Sequence, residues 1–259
     1  NRHRARSLPE VAGRPDAGCL ADSEENGAPR FSFRPGEQNA VRRFLRKGDF
    51  APLKRRVVHE MASHDLNELN CSGCHGKVDG VPTLSRLGGK LKPEWMKHFL
   101  EGGINYKPRP WLAARMPSFP AYASRLAAGL AALHGFSPHA GAAPVLEEGS
   151  AKMGARLVSA AAGFACVACH AVGNSSGGQV VESPGVNLAY SGERLQKAFF
   201  QRWVMSPALI DPTTKMPSYF DAQGKSQLLD FYEGDGGKQI EAIWDYLRLG
   251  SRMPAPPIP

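Results

Sequence analysis

The feature that most constrains this chain is a long pattern that occurs twice along it. Each copy contains a Cys-x-x-Cys-His unit, Cys71-Ser-Gly-Cys-His75 in the first and Cys166-Val-Ala-Cys-His170 in the second. A helix-like stretch precedes each unit, at 55–69 and at 150–162, and a loop rich in glycine and proline follows it. Because much more than five residues recurs, two copies of one structural module are the simplest interpretation.

The second half of each copy repeats as well. Both copies continue with a Trp-containing helical segment, then a basic-Met-Pro-Ser-aromatic sequence, then an amphipathic closing helix. No alternation typical of strands is visible, so the pattern predicts an all-α fold. In the first copy these parts are 93–100, Arg115-Met-Pro-Ser-Phe119 and 121–133; in the second they are 193–204, Lys215-Met-Pro-Ser-Tyr219 and 238–249.

The repeat also predicts the domain organisation. We divide the chain into a helical N-terminal extension (1–50), a first module (51–144), a second module (145–250) and a proline-rich tail (251–259). The stretch 36–48 is similar to the closing helix of the later modules. The extension is therefore either the tail of a degenerate or truncated third module or a simple helix that packs on the first module.

The Cys-x-x-Cys-His units carry the chemistry. Two thiols within one turn can add to both vinyl groups of one porphyrin, and the adjacent imidazole can reach its iron, so this sequence is the attachment signature of c-type haem. A redox dithiol would be expected on a strand-to-helix turn, and half of a zinc site would leave the repeated Met-Pro sequences unexplained. The chain is therefore predicted to carry two covalently bound haems c, each with iron. The attaching residues are Cys71, Cys74 and His75 in the first module, and Cys166, Cys169 and His170 in the second.

A methionine followed by proline is the candidate for the other axial position in each module. Proline removes a backbone donor and holds the chain extended. A thioether ligand stabilises ferrous iron and raises the reduction potential relative to two histidines. We therefore predict Met116 and Met216 as the sixth ligands.

Residues around the porphyrin are predicted by type and position. Aromatic side chains could pack on the ring or donate to its propionates, namely Trp95, Trp203, Tyr106 and Tyr219. Cations could pair with propionate charge, namely Arg86, Arg115, Arg194 and Lys215. Cys19 lies outside both units, and it is interpreted as a small buried hydrophobe or as a thiol paired outside this chain.

Each module resembles a class I cytochrome c domain. The likeness covers about 55–134 and 150–250 and includes the loop Pro184-Gly-Val-Asn-Leu188. It implies a small helical bundle around one buried haem, with His75 and Met116 as axial ligands in the first module and His170 and Met216 in the second. The repeat is similar to diheme and multiheme cytochromes that serve as subunits or fused domains of larger respiratory enzymes. No Cys-x-x-Cys-His unit precedes Cys19, so a third haem is not expected.

The predicted function is relay of single electrons between redox partners, as a subunit of a larger respiratory or oxidoreductase complex. The alternatives are a diheme peroxidase-like catalyst with a displaceable methionine, and a subunit whose haems matter mainly for folding. We expect redox protein partners, no nucleic acid and no membrane span. Covalent haem attachment implies an extracytoplasmic, periplasmic location, and the N-terminus without Met or an apolar leader is interpreted as trimmed or incomplete.

The charge is uneven along the chain. The net charge is +8, and residues 51–144 carry 12 basic and 6 acidic groups. A basic face can dock an acidic partner. The first module is therefore predicted to meet such a partner, with Lys90, Lys92 and Lys97 as the docking cations.

Overall fold

The described part of the chain is helical. The computed structural model describes residues 10, 14, 18–20, 31–51, 55, 57–139, 141, 144–174 and 185–257. These residues form helices and isolated β-bridges, without a sheet. The all-α prediction is confirmed. The chain divides into two compact units, Asn1–Val57 and Val58–Pro259, and both Cys-x-x-Cys-His units belong to the second.

The first unit contains helix α1, Glu37–Lys47, and a 3-10 turn at Gly18–Leu20. The helix predicted at 36–48 is therefore confirmed. Two of its side chains hold the turn, because Gln38 Nε2 and Arg42 Nη2 donate to the Leu20 carbonyl at 3.1 and 2.7 Å. The side chain of Cys19 lies outside the described residues, and the descent of this unit from a third module stays a prediction.

The second unit repeats one helical order. In the first repeat the helices are α2 (Val58–Glu68), α3 (Leu87–Lys90), α4 (Pro93–Leu100) and α5 (Pro120–Leu133). In the second they are α6 (Glu148–Val158), α7 (Ser191–Arg194), α8 (Lys197–Met205), α9 (Pro207–Ile210) and α10 (Gly236–Leu247). Proline opens α4, α5 and α9, where its missing N–H leaves no bond unmade. The helix predicted at 193–204 is interrupted between α7 and α8.

The helices of the two repeats pack in the same way. The opening helix packs on the closing helix, α2 on α5 and α6 on α10, and the middle helix, α4 or α8, packs on the closing helix too. A glycine allows each main crossing to be close. A Cβ on Gly129 of α5 would collide with the Ala62 side chain of α2, and one on Gly154 of α6 would collide with the Ala242 carbonyl of α10.

The closing helices present the apolar face that the sequence predicted. Ile240, Ile243, Trp244 and Leu247 of α10 are all buried at helical spacing. In α5 the buried positions are held largely by small residues, since Ala123, Leu126, Ala127, Leu130 and Ala131 are the apolar members. No helix among the described residues has the length and apolar character to cross a bilayer.

Candidate cofactor sites

The two Cys-x-x-Cys-His units adopt the same local backbone. A residue with positive φ comes first, Asn70 at 50° and Ala165 at 54°, and a 3-10 turn follows at Cys71–Gly73 or Cys166–Ala168. In both units the histidine N–H donates to the carbonyl of the first cysteine, at 3.0 Å in the first repeat and 2.9 Å in the second. Both thiols and the imidazole are thus held within one turn.

A cavity of about 560 Å³ opens beside the first Cys-x-x-Cys-His unit. Its size falls within the range of cofactor sites, roughly 300–1,000 Å³. Apolar side chains from α2, α4 and α5 form much of its wall, among them Leu66, Trp95, Leu100 and Leu126. The predicted residues of the first module that line this one cavity are Cys71, Cys74, His75, Trp95, Tyr106, Arg115 and Met116.

Both histidines use the same ring nitrogen in a hydrogen bond to a loop carbonyl. His75 Nδ1 lies 2.7 Å from the Pro82 carbonyl, and His170 Nδ1 lies 2.8 Å from the Val186 carbonyl. Since a carbonyl oxygen only accepts, Nδ1 carries the proton and donates, which leaves Nε2 free as a ligand. Burial lowers the pKa of His170, so the neutral form that binds metals is favoured.

The loop after the second Cys-x-x-Cys-His unit packs against His170. A Cβ on Gly185 would run into the imidazole, so only glycine allows the backbone to lie against the ring. Asn187 ties the loop together, because its Nδ2 donates to the Gly173 carbonyl at 2.8 Å while its Oδ1 accepts from the Gly173 N–H at 3.1 Å. In the predicted sequence Pro184-Gly-Val-Asn-Leu188, Pro184 lies outside the described residues.

The methionine segment of the second repeat packs beside its Cys-x-x-Cys-His unit. The Trp203 indole N–H donates to Met216 Sδ at 3.1 Å. The ring of Tyr219 lies 4.8 Å from that of Phe164, two residues before Cys166. Burial and the nearby cysteines raise the pKa of Tyr219 to about 12. A methionine sulfur and the Cys-x-x-Cys-His unit are therefore brought to one region of the fold.

The two predicted tryptophans occupy different positions in their repeats. Leu91 and Leu195 pair in a β-bridge, and each lies two positions before the first residue of the helix that follows it, α4 or α8. By this register Trp95 corresponds to Phe199, and Trp203 corresponds to Phe99. The aromatic pair is stacked in each repeat, with ring centroids 5.0 Å apart in the first and 5.9 Å in the second. The Trp95 indole N–H donates to Tyr106 Oη at 3.0 Å, whereas the Trp203 indole N–H donates to a methionine sulfur.

Contacts between the two repeats join Tyr106, which the sequence assigned to the porphyrin, to Tyr190 and Glu193, which the sequence did not single out. The rings of Tyr106 and Tyr190 stack with centroids 3.5 Å apart, and the Tyr106 hydroxyl donates to the Glu193 carboxylate. Burial, followed by that hydrogen bond, raises the pKa of Tyr106. No repeated motif marks these residues, and only the folded chain brings them together.

Two of the predicted docking lysines face the second repeat, which corrects that part of the prediction. Lys92 Nζ donates to the Gly192 carbonyl at 2.6 Å, and Lys90 Nζ lies 5.2 Å from the ring centre of Phe199. Lys97 is the exposed member of the three and pairs with Glu101 at 3.1 Å. Arg86 also turns to the second repeat, where its guanidinium donates to the Ile210 carbonyl.

The donor set fits a covalently bound haem. Paired thiols and an imidazole with a free Nε2 recur in both repeats, and in the first repeat a thioether lines the same apolar cavity. No protein-family model, curated protein or solved structure matches the chain. The fold and these sites thus define an all-α protein with a repeated thiol, imidazole and thioether arrangement.

Proposed function

We propose that this chain is a diheme c-type cytochrome that relays single electrons between redox partners. The observation that carries the proposal is the cavity of the first repeat, which Cys71, Cys74, His75 and Met116 line together. The second Cys-x-x-Cys-His unit has the same backbone and hydrogen bonds, which supports a second site of the same kind.

The residues have distinct roles in this proposal. Cys71 and Cys74 would attach the first haem through thioether bonds, and His75 and Met116 would bind its iron. Cys166, Cys169, His170 and Met216 would do the same in the second repeat. Carbonyl groups of Pro82 and Val186 fix the imidazole orientation, and apolar side chains form much of the wall of the first site. A bound haem iron supplies one-electron redox chemistry.

Rigid ligation by the chain favours electron relay. Each histidine is held by its backbone bond to the first cysteine and by the bond from Nδ1 to a loop carbonyl, so little rearrangement would accompany a change of oxidation state. We further propose that the protein acts as a subunit of a larger oxidoreductase complex outside the cytoplasm, in bacteria the periplasm, where c-type haem is attached. Purification of the native complex and identification of its other components tests this part.

Haem stoichiometry tests the proposal directly. The full chain, expressed together with a cytochrome c maturation system, is expected to carry two haems that resist extraction by acidified acetone. C71A/C74A and C166A/C169A are each expected to carry one, and C19A, the control, is expected to retain both. A wild-type chain that releases its haem to the solvent, or binds none, would contradict the proposal.

A peroxidase-like activity remains the second candidate, and one observation favours it. Met116 is 38% exposed, whereas Met216 accepts a hydrogen bond from Trp203. Met116 is thus the less constrained thioether, and a displaceable ligand is what peroxide binding requires. Carbon monoxide binding to the ferrous protein separates the two functions. Relay predicts no binding at either site, and the peroxidase alternative predicts binding at the first.

A further inference from the structure

Equivalent segments of the two repeats pair with each other. Leu91 and Leu195 form an antiparallel bridge. The Lys92 N–H donates to the Arg194 carbonyl and the Gln196 N–H donates to the Lys90 carbonyl, both at 2.9 Å. The two bonds are related by exchange of the repeats, as in a two-fold contact. The pairing brings the side chains of Lys90 and Arg194 to the boundary between the repeats.

Arg194 belongs to the second repeat by sequence but lines the cavity of the first. Its side chain is buried, with 9% of the residue exposed. The guanidinium carbon lies 6.0 Å from the ring centre of Trp95, and its Nε has no hydrogen-bond partner within the described part of the chain. A buried cation therefore enters the cavity with a donor still to be satisfied.

The surroundings of Arg194 are rich in positive charge. Lys90 and Arg109 line the same cavity. Burial, followed by the charges of Arg194 and Arg109, lowers the pKa of Lys90 to about 8. Two carboxylates oppose this positive charge: Glu193 raises the pKa of Arg194, and Asp211 raises the pKa of Lys90. An arginine cannot release its proton to relieve such a site, and a buried charge is costly unless it is paired.

We propose that Arg194 crosses from the second repeat to bind a carboxylate of the haem held by the first repeat. This inference rests on the proposed function, since it requires a haem in the first cavity. Two oxygens of a carboxylate match the planar donors of a guanidinium, and Nε is the donor available for one of them. The first cofactor site is then complete only when the two repeats are docked, and Lys90 adds positive charge at the same edge.

The charge has a measurable consequence for the first haem. A nearby cation stabilises the reduced site, which carries one positive charge less than the oxidised site. Its removal should lower the reduction potential of that haem. The experiment uses the full chain with Met216→His, because loss of the thioether moves the second haem to a lower potential and separates the two titration waves. R194Q, R194K and the control R202Q, an exposed arginine of the same repeat, are compared in this background.

Haem content is measured first, because it separates failure of this inference from failure of the proposed function. A chain without covalent haem overturns the proposed function itself. With two haems bound, R194Q is expected to shift the first-repeat haem to lower potential, R194K to shift it by less, and R202Q to leave it unchanged. A first-repeat potential that is the same in the Met216→His chain with and without R194Q or R194K overturns the inference. If R194Q does not accumulate, R194K decides, and an unchanged potential in that variant counts against the contact.

Discussion

Ala165 holds a left-handed conformation directly before Cys166. Its φ is 54° and that of the equivalent Asn70 is 50°. Asparagine tolerates this region because its polar side chain can form local hydrogen bonds. Alanine has no such compensation, and the conformation costs about 1–2 kcal/mol. The second Cys-x-x-Cys-His unit therefore has a strained residue directly before its 3-10 turn.

Glycine at this position should relieve the strain. We expect Ala165→Gly to raise the free energy of unfolding by about 0.5–1 kcal/mol, because the steric gain exceeds the entropy that glycine loses. Denaturant titration of the full chain measures the change. Ala162→Gly is the matched control. Ala162 has no positive φ, so glycine there should lower the free energy of unfolding through its entropy cost alone. Equal losses in both variants would show that the conformation of Ala165 is not strained.

The hydrogen bond from Trp203 to Met216 Sδ, 3.1 Å long, has no counterpart in the first repeat, where Phe99 occupies the equivalent position. Donation of an N–H to a ligand sulfur withdraws electron density from it. Such a ligand stabilises ferric iron less, which raises the potential. The two proposed haem sites therefore differ in one contact to the methionine that we propose as a ligand.

Trp203→Phe is expected to lower the reduction potential of the second-repeat haem. Redox titration in a Met116→His background isolates that haem as the higher of the two waves. Trp95→Phe is the control, because its indole donates to Tyr106. A second-repeat potential that does not move in Trp203→Phe, or moves equally in Trp95→Phe, would remove the role assigned to this bond.

Close helix crossing is the main feature at the scale of the elements. Gly129 of α5 lies against α2, where an added Cβ would meet the Ala62 side chain and would lie 2.7 Å from the Val58 carbonyl oxygen. Backbone and a buried alanine cannot move aside as a long flexible side chain can. The distance between these two helices therefore depends on glycine.

Gly129→Ala is expected to lower the free energy of unfolding by about 1–3 kcal/mol through overpacking. Gly149→Ala in α6 is the control, because a Cβ at Gly149 meets nothing within 4 Å and alanine is the better helix former by up to about 1 kcal/mol. Chemical denaturation followed by circular dichroism compares the two. Stability unchanged in Gly129→Ala would mean that the helices can separate at little cost.

The break between α7 and α8 shows what helical periodicity misses. The sequence favours one helix over 193–204, but Leu195 and Gln196 leave the helix to pair with the first repeat. Gln196 Nε2 also donates to the Gly88 and Leu91 carbonyls at 3.2 and 3.3 Å. These bonds depend on residues about a hundred positions away, so no local propensity encodes them.

At the scale of the whole molecule, aromatic stacking joins the two repeats. The rings of Tyr106 and Tyr190 are nearly parallel, at 6°, with centroids 3.5 Å apart. A stacked pair contributes about 0.5–1.5 kcal/mol beyond the area it buries. This contact should therefore make the stability of one repeat depend on the other.

A double-mutant cycle measures that dependence. Tyr106→Ala and Tyr190→Ala, alone and together in the full chain, are expected to show a coupling energy of about 0.5–1.5 kcal/mol in denaturant unfolding. Tyr122→Ala with Tyr190→Ala is the control pair and should be additive within about 0.5 kcal/mol. Additivity of the first pair would show that the stacked rings do not couple the stability of the two repeats.

The sequence alone determined the helical class, the repeat and the thiol, imidazole and methionine set of each copy. These features are local or recur at matching positions, so spacing and periodicity reveal them. Only the tertiary structure decided that Lys90 and Lys92 face the second repeat, that Trp203 donates a hydrogen bond to Met216 and that Arg194 lines the first cavity. The Lys90, Lys92 and Arg194 contacts join residues about a hundred positions apart, and the Trp203 bond joins a helix to the loop that follows it. Spacing and periodicity reveal neither kind of contact, because both form only when the helices and loops pack.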